Sequence, residues 1–182
     1  MMRVITGSAR GRRLETLNGE EVTRPTAESV KEALFSMIQF EIEDKRVLDL
    51  FAGSGQLGIE ALSRGAAFCT FVENNKKAES IVKTNVENCG FSSASQIVLC
   101  DAAAFLSRIN NFDVAFLDPP YKKGLIEKCM PSLVKLMSED GIIVCETSKE
   151  EKLPETFGDF SVTKERNYGK TKITIYRKDL EL

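Results

Sequence analysis

The tetrapeptide Asp118-Pro119-Pro120-Tyr121 ends the apolar run Phe112-Asp113-Val114-Ala115-Phe116-Leu117. Two successive prolines cannot donate to a β-ladder, so a strand must stop there. The fixed φ of each proline holds the Asp118 carboxylate, the neighbouring carbonyls and the Tyr121 ring rigidly at the strand's carboxyl end. A carboxylate, a carbonyl and an aromatic ring in this arrangement could accept hydrogens from an amine and stack on the ring system that carries it.

A second chemical cluster begins at Val47-Leu48-Asp49-Leu50-Phe51-Ala52-Gly53-Ser54-Gly55-Gln56-Leu57-Gly58. Gly53, Gly55 and Gly58 fit the G-x-G-x-x-G spacing, which allows a tight turn and close approach of backbone to a ligand at a helix N-terminus. Glu73 closes the next apolar run, where a carboxylate can accept hydrogen bonds from ribose hydroxyls, with Asn74 beside it. Asp101 closes a third run, followed by Ala102, and could receive an adenine amino hydrogen. A nucleoside-containing ligand is therefore expected on Asp49, Phe51, Ala52, Gly53, Ser54, Gly55, Glu73, Asn74, Asp101 and Ala102. A dinucleotide fits the glycines equally well. Asp49 argues instead for S-adenosylmethionine, because a carboxylate four residues before Gly53 repels a pyrophosphate and attracts a sulfonium and an ammonium.

Four polar clusters at four strand ends need a scaffold that delivers them to one edge. From Lys45 onward the pattern alternates, with strands near 46–50, 68–73, 96–100, 112–118 and 141–147 and helices near 56–64, 75–88, 102–109 and 124–137. Such alternation predicts an α/β, Rossmann-like, mostly parallel sheet with helices on both faces and right-handed crossovers. Two more strands, near 159–168 and 171–178, meet at Tyr168-Gly169-Lys170. Their hairpin puts the final strand antiparallel at or near the sheet edge and brings the expected total to seven strands. The chain reads as one domain over 1–182. Residues 1–24 form a basic β-hairpin extension turning near Gly19, residues 25–44 a helix covering the ligand pocket with Val30, Ala33, Leu34 and Met37 on one face, and residues 45–182 the core.

At 182 residues and 42% hydrophobic composition, the chain suits one substantial core. With no histidine in the chain, Ser-His and Cys-His nucleophile systems are excluded and a protein metal site is not expected. Cys69, Cys89, Cys100, Cys129 and Cys145 are never in C-x-x-C spacing and read as reduced thiols. No apolar run is long enough to span a bilayer and no signal peptide is evident, so a cytoplasmic location without membrane contact is expected. The formal net charge is −2, but it is unevenly spread. Residues 1–14 carry four arginines and no acid, and residues 164–178 carry six basic residues against Glu165. Basic ends on an acidic body point to phosphate contacts.

These residues together carry a resemblance. The chain resembles the RsmD family of class I S-adenosylmethionine-dependent methyltransferases through Arg3-Val4-Ile5-Thr6-Gly7 with Gly11-Arg12-Arg13-Leu14, Thr23-Arg24-Pro25-Thr26, and Val30-Lys31-Glu32-Ala33-Leu34-Phe35. The glycine loop, Gly58-Ile59-Glu60-Ala61-Leu62-Ser63-Arg64-Gly65-Ala66, the 118–121 block and Tyr168-Gly169-Lys170-Thr171 continue it. The amino-terminal motifs are the most specific of these; the glycine loop and the 118–121 block occur in many methyltransferases. The resemblance implies methylation of the exocyclic 2-amino group of a guanine in small-subunit ribosomal RNA, within a small subunit or its assembly intermediate. It implies catalysis by Asp118, Pro119, Pro120 and Tyr121 and RNA contacts by Arg10, Arg12, Arg13 and Arg24. Two other readings share parts of this sequence: an amino-methyltransferase acting on adenine, and a non-catalytic dinucleotide-binding module.

Overall fold

The computed structural model describes residues 2–17, 25–108 and 110–179, with residues 25–27 described at the level of the backbone. Among the described residues, eight strands form one sheet in the order β3-β2-β1-β4-β5-β8-β7-β6. They are β1 (Arg46–Asp49), β2 (Phe68–Glu73), β3 (Ser95–Leu99), β4 (Phe112–Leu117), β5 (Met137–Ser148), β6 (Thr156–Phe157), β7 (Phe160–Tyr168) and β8 (Thr171–Lys178). The first five pair in parallel, and β8 runs antiparallel to β5 and to β7. The extra strand beyond the expected seven is the two-residue β6. The final strand is antiparallel and near the edge as expected, inserted between β5 and β7. Its central residues Lys172–Tyr176 are buried, as an interior position requires.

Alternation along the buried strands divides the core into two faces. Val47, Phe71 and Phe116 meet helices α1 (Pro25–Met37), α2 (Gln56–Ser63) and α3 (Lys76–Asn88) through Leu34, Phe35, Ile59 and Val82. Leu48, Leu117, Ile143 and Tyr176 meet α4 (Ala102–Phe105) and α5 (Leu125–Leu133) through Phe105, Ile126 and Met130. Gly58 makes the α2 contact possible, because a Cβ there would lie 2.3 Å from the Phe71 ring and 2.6 Å from Cys69 Sγ. The expected helix over 102–109 is shorter, and the helix over 124–137 stops at Leu133 with Val134–Leu136 continuing as a 3-10 turn. Pro131 inside α5 lacks the N–H that would sustain its last turn.

Arg24 and the turn expected near Gly19 lie outside the described residues. Among the described residues the chain reverses at Gly7–Gly11, and an antiparallel bridge joins Arg3 to Arg13. Helix α1 does not cover the pocket with its described side chains: Val30, Leu34, Phe35 and Ile38 pack on the sheet. The early segment is docked onto α2 by the buried Glu60, whose carboxylate accepts the Ile5 and Thr6 N–H groups at 2.8 and 3.0 Å. Glu60 also pairs with Arg64 at 2.9 Å and Lys31 at 3.6 Å, and this compensates its burial. All five cysteines are free thiols. Among the described residues no helix is long and apolar enough to cross a membrane.

Candidate active site

The connections out of β1, β2, β3 and β4 all leave from the same sheet edge. Asp49 is level with Phe71 and Phe116 on its neighbours, and Glu73 is level with Leu99. Since β1 leads to β2 on one side while β4 returns on the other, a crevice opens between the loops that follow β1 and β4. A cavity of about 840 Å³ occupies it. Asp49, Phe51, Ala52, Gly53 and Ser54 form one wall, Glu73 and Asn74 a second, and Asp101 and Ala102 a third. Asp118, Pro119, Pro120 and Tyr121 close the fourth side.

Local hydrogen bonds explain how each carboxylate is held. Asp49 accepts the Gly58 N–H at 3.0 Å and so ties the strand to the first turn of α2. Glu73 accepts the Gly53 N–H at 2.8 Å through one oxygen and the Asn75 N–H at 2.8 Å through the other. Each oxygen keeps a second lone pair for a ligand hydroxyl. Asp101 caps α4 by accepting the Ala104 N–H at 3.1 Å. Tyr121 donates its hydroxyl to Glu146 Oε1 at 2.9 Å and lies 3.4 Å from Thr171 Oγ1, which anchors a ring that is 39% exposed.

Gly55 is the exception among the expected ligand contacts. It does not line the cavity, and a Cβ there would face Val82, Ile59 and Phe71 at 3.2–3.4 Å. Its role is the left-handed turn, φ +80°, that starts α2. Gly53, with φ +58°, does line the cavity, and a Cβ on it would enter open space.

The electrostatics select for a cation. Burial pushes the Asp49 carboxyl up to about 7, with the Gly58 N–H opposing the rise and Glu73 adding to it. Asp118 is raised by burial and by the Glu146 and Asp49 carboxylates, and Glu146 is raised by burial against the Tyr121 hydrogen bond. None of the three forms an ion pair among the described residues. A sulfonium and an ammonium would relieve this clustering; a pyrophosphate would aggravate it.

The basic ends behave differently from each other. Arg10, Arg12 and Arg13 are exposed and outside the cavity wall, with no ion pair among the described residues. Near the carboxyl end, Arg177 Nη2 donates to both Glu41 oxygens, Lys178 pairs with Asp159 at 3.2 Å, and the buried Lys172 pairs with Glu165 and donates to the Glu151 carbonyl. Half of the positive charge over residues 164–178 is thus neutralised internally.

Other residues join the site without having been expected there. Glu146 carries a legible signal, an acid closing the apolar run Ile142-Ile143-Val144-Cys145, as Glu73 closes its own strand. Met2 and Leu17, which line the cavity from the amino-terminal segment, carry none.

Comparison with known proteins agrees with this geometry. Residues 2–177 match the family model described as Conserved hypothetical protein 95. The chain is 44% identical to YlbH of Bacillus subtilis over 97% of its own length and 99% of that protein's. It is 36% identical to Ribosomal RNA small subunit methyltransferase D of Haemophilus influenzae, over 97% and 93% respectively. The solved structure of yhhF from Escherichia coli superposes with a TM-score of 0.85 at 30% identity, covering 99% of both chains.

Proposed function

We propose that this chain, which belongs to the RsmD family of S-adenosylmethionine-dependent rRNA methyltransferases, methylates the exocyclic 2-amino group of a guanine in small-subunit ribosomal RNA. The observation that carries this reading is the cavity lined by both the Gly53 loop and the Asp118–Tyr121 block. A cofactor site and an amine-accepting site must meet if one group is to pass between them.

The residues present fit the cofactor. Asp49 and Glu73 supply the unpaired carboxylate field, Gly53 the open approach, and Asp101 with Ala102 a place for the adenine. When bound, S-adenosylmethionine supplies an electrophilic methyl group on a sulfonium. The chain's own task is to prepare the nucleophile, an amine whose lone pair is delocalised into the purine ring. Asp118 and the Pro119 carbonyl each accept an amino hydrogen, which favours a pyramidal nitrogen with a directed lone pair. Tyr121 stacks on the base, extruded from its helix or taken from a single strand. The methylated nitrogen is briefly cationic and acidic, so Asp118 can hold its departing proton without a stronger base. Burial of the site favours combination of the charges, because separated ions lose solvation there.

Arg10, Arg12, Arg13 and Arg24 are assigned to RNA phosphates. For the first three, support comes from their exposure, from their having no ion pair among the described residues, and from Met2 and Leu17 of the same segment reaching the cavity. The substrate is an assembled or assembling small subunit in the cytoplasm.

The test is transfer of labelled methyl from S-adenosylmethionine into small subunits that lack the modification, followed by digestion to nucleosides. Label in N2-methylguanosine is the expected result. Label in N6-methyladenosine would overturn the guanine assignment while keeping the amine chemistry.

A further inference from the structure

Asn85 sits where the arginine-bearing segment meets the cofactor loop. It lies on α3 with no exposed surface, and its amide is committed to two partners far away in sequence. Its Oδ1 accepts the Glu15 N–H at 2.8 Å. Its Nδ2 donates to the Glu15 carbonyl at 2.9 Å and to the Ser54 carbonyl at 2.8 Å. Only the amide oxygen can take an N–H and only the NH2 can serve two carbonyls, so the orientation of the group is determined. One buried side chain therefore grips the amino-terminal segment through both polar groups of the Glu15 backbone and holds the cofactor loop between Gly53 and Gly55.

Both ends of that segment also reach the cavity. Met2 and Leu17 line it, and Met2 Sδ lies 3.4 Å from the Ser54 hydroxyl. Arg10, Arg12 and Arg13 stand between these ends on the outward turn. The segment closes on itself through Val4 N–H to the Arg12 carbonyl at 2.9 Å and Leu14 N–H to the Met2 carbonyl at 3.0 Å. Restraint applied at the turn is thus passed to its ends. Glu60 and Ser63 hold the middle of the segment, but they reach α2 and not the cofactor loop.

We propose that Asn85 is a positioning residue that couples RNA held on the arginine turn to the cofactor loop at Ser54, so that RNA and S-adenosylmethionine raise each other's affinity. The proposal rests on the RNA-contact reading of Arg10, Arg12 and Arg13. RNA that immobilises the turn leaves less of the segment and loop for the cofactor to order, and the cofactor does the same for RNA. Linkage makes the two enhancements equal.

The experiment measures S-adenosylhomocysteine affinity of the full chain with and without saturating small subunits that lack the modification. The wild-type chain should bind about fivefold or more tightly in their presence. Asn85→Ala should bring that ratio close to one. Asn85→Asp keeps an acceptor for the Glu15 N–H but cannot donate to Ser54, so its ratio should fall as well; it serves if the alanine variant does not fold. In the wild-type chain, S-adenosylhomocysteine alone should slow hydrogen exchange at the Glu15 amide. An undiminished ratio in both Asn85 variants, or an unmoved Glu15 amide, overturns the coupling. The R10A/R12A/R13A variant separates the two readings. If it binds subunits as tightly as wild type, the arginine turn is not the RNA contact and the coupling falls with it. If it loses RNA affinity while the Asn85 ratios stay undiminished, the coupling alone fails.

Discussion

The Tyr121 hydroxyl donates to Glu146 Oε1 at 2.9 Å, joining the loop after β4 to the strand beside it. The ring proposed to carry the target base is held at its far end by a residue that does not line the cavity. Removing the ring and removing its anchor should therefore have different costs. Tyr121→Ala should lower methyl transfer by roughly 1–3 kcal/mol, the value of one base–aromatic stack. Tyr121→Phe, which keeps the ring, should cost about 0.5–1.5 kcal/mol. Single-turnover rates on unmodified subunits distinguish the two, and equal losses would remove stacking as the role of the ring.

Asp118→Ala should leave cofactor affinity near the wild-type value while lowering turnover by about 2.7–4 kcal/mol, as for loss of one preorganised transition-state partner. Calorimetric titration with S-adenosylhomocysteine beside single-turnover kinetics reads both quantities. Unchanged turnover would end the catalytic assignment.

The two loop glycines should separate stability from binding. Gly55→Ala places a methyl group against Val82 and Ile59 in left-handed backbone, so its effect should be chiefly on stability, on the order of 1–2 kcal/mol. Gly53→Val bears the same left-handed strain and should lose stability as well, but it alone sends a branched side chain into the cavity and should weaken S-adenosylhomocysteine binding. Measured below both melting temperatures, the dissociation constant should rise for the Gly53 variant and stay near the wild-type value for the Gly55 variant.

The Asp49 carboxyl, raised to about 7, gives cofactor binding a pH dependence with a defined sign. A cation prefers the ionised carboxylate. Below about 7 the carboxyl must first lose its proton, so affinity should fall by up to tenfold per pH unit as pH drops. Above that value the contribution is complete. Titration from about one and a half units below that pH to half a unit above it should show this slope in the wild-type chain and a flatter one in Asp49→Asn.

The arginine turn should dominate the salt dependence of RNA binding. For every phosphate that Arg10, Arg12 or Arg13 no longer neutralises, the slope of log affinity against log salt should decrease by about 0.7–0.9. Lys178→Ala removes a cation already paired with Asp159 and should change the slope much less. Filter binding across a salt series compares them. A slope unaffected by the arginine substitutions would move the RNA-binding role to the basic strands near the carboxyl end, where Arg166 and Lys170 are exposed.

Much of the site is legible in the chain because its constraints act on neighbouring residues. The prolines at 119 and 120 end β4 wherever that strand lies, and the run from Asp49 to Gly58 encodes a strand, a left-handed turn and a helix start in backbone terms alone. Alternating strands and helices then leave few topologies, and the crevice between the β1 and β4 loops follows from parallel pairing with right-handed crossovers. Acids that close apolar strands, such as Glu73 and Asp101, come to the same edge for that reason.

Other features depend on which surfaces are pressed together, and no local pattern records that. Whether Gly55 faces a ligand or the core is settled by the α2–α3 packing around Val82, and whether Lys172 and Arg177 are free cations is settled by Glu165 and Glu41. Asn85 reads in the sequence as an ordinary polar helix residue. It becomes a junction because folding excludes water around it, and a buried amide must then find its hydrogen bonds in whatever backbone lies within reach, here Glu15 and Ser54. The order of the elements and the chemistry at their ends are written along the chain; which of those groups hold the fold and which remain for ligands depends on folding, because burial and long-range contact set the cost of leaving each one unpaired.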